Sequence, residues 1–142
     1  MSNARIVIDT NVIYASLYST KGASHALLKL LADGTVTACL SVTLVFEYEE
    51  VLKRDKSKLG LNDQDINAIL GYLVSRSERT RVFYLWRPYL RDHKDDMVLE
   101  VAVAGKVDYL VTHNLNDFKG ADRFGIKVVT PGWLIKNLGV TL

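Results

Sequence analysis

The sequence predicts an α/β domain: a mostly parallel sheet of about five strands with helices packed on both faces. Three observations carry that expectation. Residues 5–8, 36–40, 109–112 and 126–130 form short β-branched runs, and each is continuously apolar, as strands covered on both sides are. Helical patterns lie between these runs, so strand and helix alternate along the chain. The 142 residues, 49% of them hydrophobic, suit one ordinary domain with a sizeable core.

The first strand, residues 5–8, leads directly into Asp9-Thr10-Asn11, where Asp9 could cap a following helix. A helix is expected over residues 24–32, with Ser24 as its N-cap, before the strand at 36–40. Cys39, the single cysteine, falls in that strand and reads as an inert core thiol that cannot form an internal disulfide. It points weakly to a reducing, cytoplasmic setting.

The next helix, residues 43–53, carries Leu44, Val45, Tyr48, Val51 and Leu52 on one face. Residues 53–62 read as a polar connection. Asp63 is the expected N-cap of a helix over 63–75, with Asp65 in its first turn. A fifth strand is expected over residues 81–85. Further helices are expected over 96–104, ended by Gly105, and over 131–138, with Thr130 as cap, Pro131 in the first turn and Gly139 at its end.

Composition excludes some classes. No stretch approaches the ~20 apolar residues of a membrane span, and the three before Asp9 are too few for a signal-peptide core. No repeat or low-complexity segment is present. A net charge of +2 does not announce a nucleic-acid binder. Lys53, Arg54, Lys56 and Lys58 cluster, as do Arg76, Arg79, Arg81, Arg87 and Arg91, but such runs are usually solvated faces.

The acids are more informative. Asp9 follows the first strand, Glu47 lies in the helix after the second, and Asp92, Asp95 and Asp96 crowd a helix start. Asn114 and Asp117 follow the strand at 109–112. The carboxyl ends of parallel strands share one edge, where ligands bind, so four segments deliver acids or amides to one rim. Crowded carboxylates repel, and a hard divalent cation such as Mg2+ or Mn2+ relieves them while assisting phosphodiester hydrolysis. Each acid also has a plainer reading: Asp9 as a cap, and the triplet as ordinary helix-dipole partners. Glu47 discriminates better, because it borders the apolar stripe of its helix while Glu50 points away.

These segments resemble the PIN-domain family. Ile6-Val7-Ile8-Asp9-Thr10-Asn11-Val12 looks like its opening strand and Asp-Thr-Asn motif. Ser41-Val42-Thr43-Leu44-Val45-Phe46-Glu47-Tyr48 is similar to the second motif, with its acid at Glu47. Arg91-Asp92-His93-Lys94-Asp95-Asp96-Met97-Val98-Leu99 is similar to the third, with its acid at Asp96. Tyr109-Leu110-Val111-Thr112-His113-Asn114-Leu115-Asn116-Asp117-Phe118 is similar to the fourth, and Val128-Val129-Thr130-Pro131 to the close. The match spans nearly the whole chain, and its wording resembles VapC-like toxins of toxin–antitoxin pairs.

The resemblance implies a three-layer α/β/α sandwich and Mg2+- or Mn2+-dependent endoribonuclease activity. It also implies a homodimer neutralised by an antitoxin protein. Asp9, Glu47, Asp96 and Asp117 are then the expected metal ligands, completed by Asn114, with Asn11 and Thr112 orienting them. Asn114 departs from the Asp often found there, which leaves one or two metal ions open. A metal-activated water needs no histidine as general base, so His113 is expected on a loop surface, and His25 and His93 lack ligand spacing. The substrate expected is single-stranded or looped RNA held by some of the arginines. Tyr14, Leu17, Tyr18 and Tyr72 are candidates for a dimer contact.

Rival classes fit less well. No glycine-rich loop follows the first strand, against a dinucleotide site. Asn11 stands where an aspartyl phosphatase would need a second acid, and the acidic pair of a phospho-acceptor domain is missing. A flap-type DNA endonuclease would add a helical arch. The remaining alternative is a catalytically weak module that binds RNA or an antitoxin.

Overall fold

The structure, a computed structural model, describes residues 4–82, 90 and 93–138. Five parallel strands make the sheet: β1 (Ala4–Ile8), β2 (Val36–Leu40), β3 (Glu78–Arg79), β4 (Tyr109–Val111) and β5 (Lys127–Val129). Their order is β3-β2-β1-β4-β5. Ile6, Val7 and Ile8 are consecutive and all at most 2% exposed, which requires cover on both faces of β1. That cover comes from seven helices among the described residues, giving a three-layer α/β/α sandwich.

The helices are α1 (Thr10–Tyr18), α2 (Ala23–Ala32), α3 (Val42–Arg54), α4 (Lys56–Leu59), α5 (Asp63–Arg76), α6 (His93–Ala104) and α7 (Pro131–Asn137). Ser41 caps α3 by accepting from the Leu44 N–H, and Thr130 caps α7 by accepting from the Trp133 N–H, with Pro131 at its start. Gly105 follows the last residue of α6, as expected, with its N–H bonded to Val101 O. None of the described helices is long and apolar enough to cross a membrane.

Several expectations are corrected. The fifth strand is Glu78–Arg79, not 81–85; Arg81 and Val82 are outside any strand, and residues 83–85 lie outside the described residues. Both residues of β3 are exposed, so it leaves no apolar signature, and it exists because β2 offers Cys39 and Leu40 for pairing. Ser24 is not a cap: Gly22 precedes α2, and Ser24 is buried inside it. Asn62, not Asp63, caps α5, and its side chain and that of Asp65 form a reciprocal capping box. The connection at 53–62 contains the four-residue α4. Asp92, Arg87, Arg91 and Gly139 lie outside the described residues.

The topology places the site. From β1 the chain builds outward to β2 and β3, then returns to β4 and β5 on the other side. The winding reverses between β1 and β4, and in an open parallel sheet the carboxyl ends at such a reversal frame the ligand crevice. Asp9 leaves β1 and Thr112 leaves β4 at that point.

Candidate active site

Asp9 is anchored where the two strands end. Its N–H donates to Val111 O at 2.9 Å, extending the β1–β4 pairing by one residue. One carboxylate oxygen accepts from the Thr10 N–H at 2.8 Å, so Asp9 does cap α1. The other accepts from the Thr112 hydroxyl at 2.7 Å. Thr112 is fully buried, and its oxygen accepts in turn from the Asn114 N–H at 3.0 Å and from Asn11 Nδ2 at 3.4 Å. A hydroxyl has one proton and two lone pairs, so this one is saturated and held in place. Asn11 also accepts the His113 N–H at 3.3 Å, which joins the start of α1 to the loop after β4.

A cavity of about 450 Å³ opens over Asp9. Glu47 enters it from α3, and Asn114 and Asp117 enter from the 3-10 turn Leu115–Phe118 and the residue before it. Glu47 is 9% exposed while Glu50 on the same helix is exposed, as the helical face requires. Lys94 of α6 reaches Glu47 Oε1 at 3.7 Å.

Asp96 is placed differently. It is fully buried, accepts the Leu90 N–H at 2.8 Å, and is not among the residues lining the cavity. Asp95 and Lys94 line it instead. Tyr14, Val51, Arg54 and Asp55 complete the wall. A signal for two of these was present in the sequence: Glu47, Val51 and Arg54 are four and three residues apart, one face of a helix. His113 is exposed on its loop, as expected.

Burial works against the charge of both acids. Burial raises the pKa of Asp9; the Thr112 hydroxyl and Thr10 N–H pull it back, and the Asp117 charge raises it again. Burial likewise raises Glu47, countered by the Lys94 charge. Desolvated carboxylates fit a hard cation, and the donors facing this cavity are oxygens. Among the described residues no three His, Cys, Asp or Glu side chains are gathered into a ready cage for a metal. An ion here would therefore keep part of its water shell, as Mg2+ usually does.

Against known proteins, the family model for the PIN domain matches residues 5–116, from β1 through the turn after β4. The chain belongs to the PIN-domain family. PIN domains are generally nucleases. The same fold recurs in a chain of the crystal structure of VapBC2 from Rickettsia felis bound to a DNA fragment from their promoter. That match has a TM-score of 0.60 at 18% identity, over 89% of this chain and 98% of the other. Among curated protein sequences nothing matches significantly. The matched span includes Asp9, Glu47, Asp95, Asp96 and Asn114, and ends just before Asp117.

Proposed function

We propose that this PIN domain is a metal-dependent endoribonuclease acting in the cytoplasm as the toxin of a toxin–antitoxin pair. The observation that carries the reading is the shared cavity: Asp9 and Glu47, both nearly buried, open onto it with Asp95, Asn114 and Asp117. Asp9, Glu47, Asp95 and Asp117 would hold Mg2+ or Mn2+, and Asn114 would add its amide oxygen. Asp96, expected from the sequence as a ligand, is assigned to anchoring residue 90 instead, since its carboxylate accepts that N–H away from the cavity wall. When bound, the ion supplies Lewis acidity and a water of lowered pKa for hydrolysis.

The chain's own residues do the positioning. Thr112 fixes the Asp9 carboxylate, and Asn11 ties Thr112 to the following loop. Arg54 and Lys94 bring positive charge to an otherwise acidic wall, suited to phosphate oxygens of an RNA strand. The likeness to a chain of the VapBC2 assembly supports an antitoxin partner; the homodimer is proposed on the family resemblance alone.

Incubating the purified chain with mixed RNA in Mg2+ or Mn2+ should give cleavage that EDTA abolishes. Asp9→Asn should reduce it to background while circular dichroism and the melting temperature show an intact fold. Cleavage surviving in the chelator or in Asp9→Asn refutes the assignment. Asn114 and the Lys94–Glu47 contact favour one other reading, a catalytically weak module. That reading expects RNA or antitoxin binding with no cleavage by the unaltered chain.

A further inference from the structure

Beside the acid cavity lies a second recess, of about 360 Å³, that the cleavage chemistry leaves unused. Tyr14 belongs to both. Its ring stacks on Tyr18 with centroids 6.3 Å apart and planes within 15°. Tyr18 is 68% exposed, so a large aromatic surface faces solvent at the lip of the recess. Ser24 and His113 also line it, joined at 3.1 Å between Ser24 Oγ and His113 Nε2. His113 in turn is bonded through its backbone to Asn11 of the acid site. Gly22 lines the recess, and a Cβ there would meet open space.

We propose that this recess seats an unpaired nucleobase of the RNA strand whose backbone crosses the acid cavity, with Tyr18 as its stacking face. The inference rests on the nuclease reading and adds to it a seat for one unpaired base. A base and its phosphate are joined through a single sugar, and two recesses sharing one tyrosine have that relation. Every base offers a π-face, so stacking on Tyr18 tolerates any sequence, and the exposed His113 borders the recess with its Nε2 already bonded to Ser24 Oγ. A base within a duplex has its faces covered by neighbours and cannot enter. Continuity with the phosphate-directed cavity favours a nucleotide here over an apolar side chain of a partner protein.

The test measures binding of a short single-stranded RNA by fluorescence anisotropy, in the Asp9→Asn background to stop turnover. Its arms compare Tyr18 with Tyr18→Ala and Tyr18→Trp, and intact RNA with the same RNA made abasic. Losing one stacked base should weaken binding about tenfold in Tyr18→Ala, with recovery in Tyr18→Trp. Abasic RNA should bind weakly and be indifferent to residue 18. With Asp9 restored, KM should rise in Tyr18→Ala and kcat should hold. Equal affinity of Tyr18 and Tyr18→Ala for intact RNA overturns the proposal, as does a Tyr18→Ala loss that persists on abasic RNA. Absence of metal-dependent cleavage, with the stacking loss still measured, sinks the nuclease reading alone.

Discussion

Asp95 and Asp96 are adjacent in sequence but about 100° apart around α6, so one helix turn gives them different work. Asp95 faces the cavity, whereas Asp96 is buried and holds the N–H of Leu90. Asp95→Ala should therefore cut cleavage to background while costing less stability than Asp96→Ala. Asp96→Ala should lower stability by about 1–3 kcal/mol, because it strands a buried N–H that had a charged acceptor. Urea unfolding and the cleavage assay together separate the two; an Asp95→Ala variant that unfolds early while Asp96→Ala stays stable reverses the assignment. The resemblance to the third motif puts its acid at Asp96, and two adjacent acids at a helix start look alike in a sequence. Asp9, Asn114 and Asp117 were legible because strand ends fix them, and Glu47 because its helix has a clear apolar face. Lys94 and Tyr14 were not, since an exposed-looking lysine and a tyrosine in an unassigned helix carry no positional signal until the elements pack.

At the scale of elements, α1 illustrates what local propensity misses. Val12, Ile13 and Tyr14 are poor helix formers, and only the Asp9 cap hinted at the turn. Burial of Thr10, Val12, Ile13 and Ser16 overrides that preference. The strands at β1 and β2 were legible because each is a dense apolar run, whereas β3, with two exposed residues, depends on its neighbour alone. The close approach of α6 to β2 was also hidden. A Cβ on Gly105 would meet Cys39 Sγ at 3.0 Å and Val101 O at 3.1 Å, tighter than most Cβ contacts, so these neighbours would have to give way. Gly105→Ala should cost about 1–3 kcal/mol by overpacking. Adding Cys39→Ala removes the sulfur but leaves the Cys39 Cβ, at 3.2 Å, and the carbonyl, so the double variant should recover part of the loss relative to the sum of the two singles. Strict additivity in denaturant unfolding would show that the Cys39 sulfur is not what Gly105 avoids.

Over the whole molecule, Arg5 links the outer strand of the sheet to its centre. From β1 it crosses β2, passing Cys39 Sγ at 3.3 Å, and forks onto Glu78 of β3 at 2.7 and 3.1 Å. The same guanidinium donates to Gly105 O at 2.7 and 3.1 Å, so the end of α6 is tied in as well. Three strands and the end of α6 thus meet at Arg5, none of whose partners lines the acid cavity. Hydrogen bonding to Arg5, then its charge, lowers the pKa of Glu78. A carboxylate with a depressed folded pKa contributes stability that is fully present above its unfolded value, about 4.3, and lost as pH falls through the lower folded value. Glu78 is half exposed, so solvent screening limits the pair to no more than about 1 kcal/mol. Glu78→Gln should therefore be less stable than the unaltered chain at pH 7, and the gap should close as the pH is taken below about 4. Urea titrations of both proteins at several pH values measure that gap, and a difference that stays constant down to pH 3 would mean that the ion pair contributes nothing and β3 is held by its backbone pairing alone.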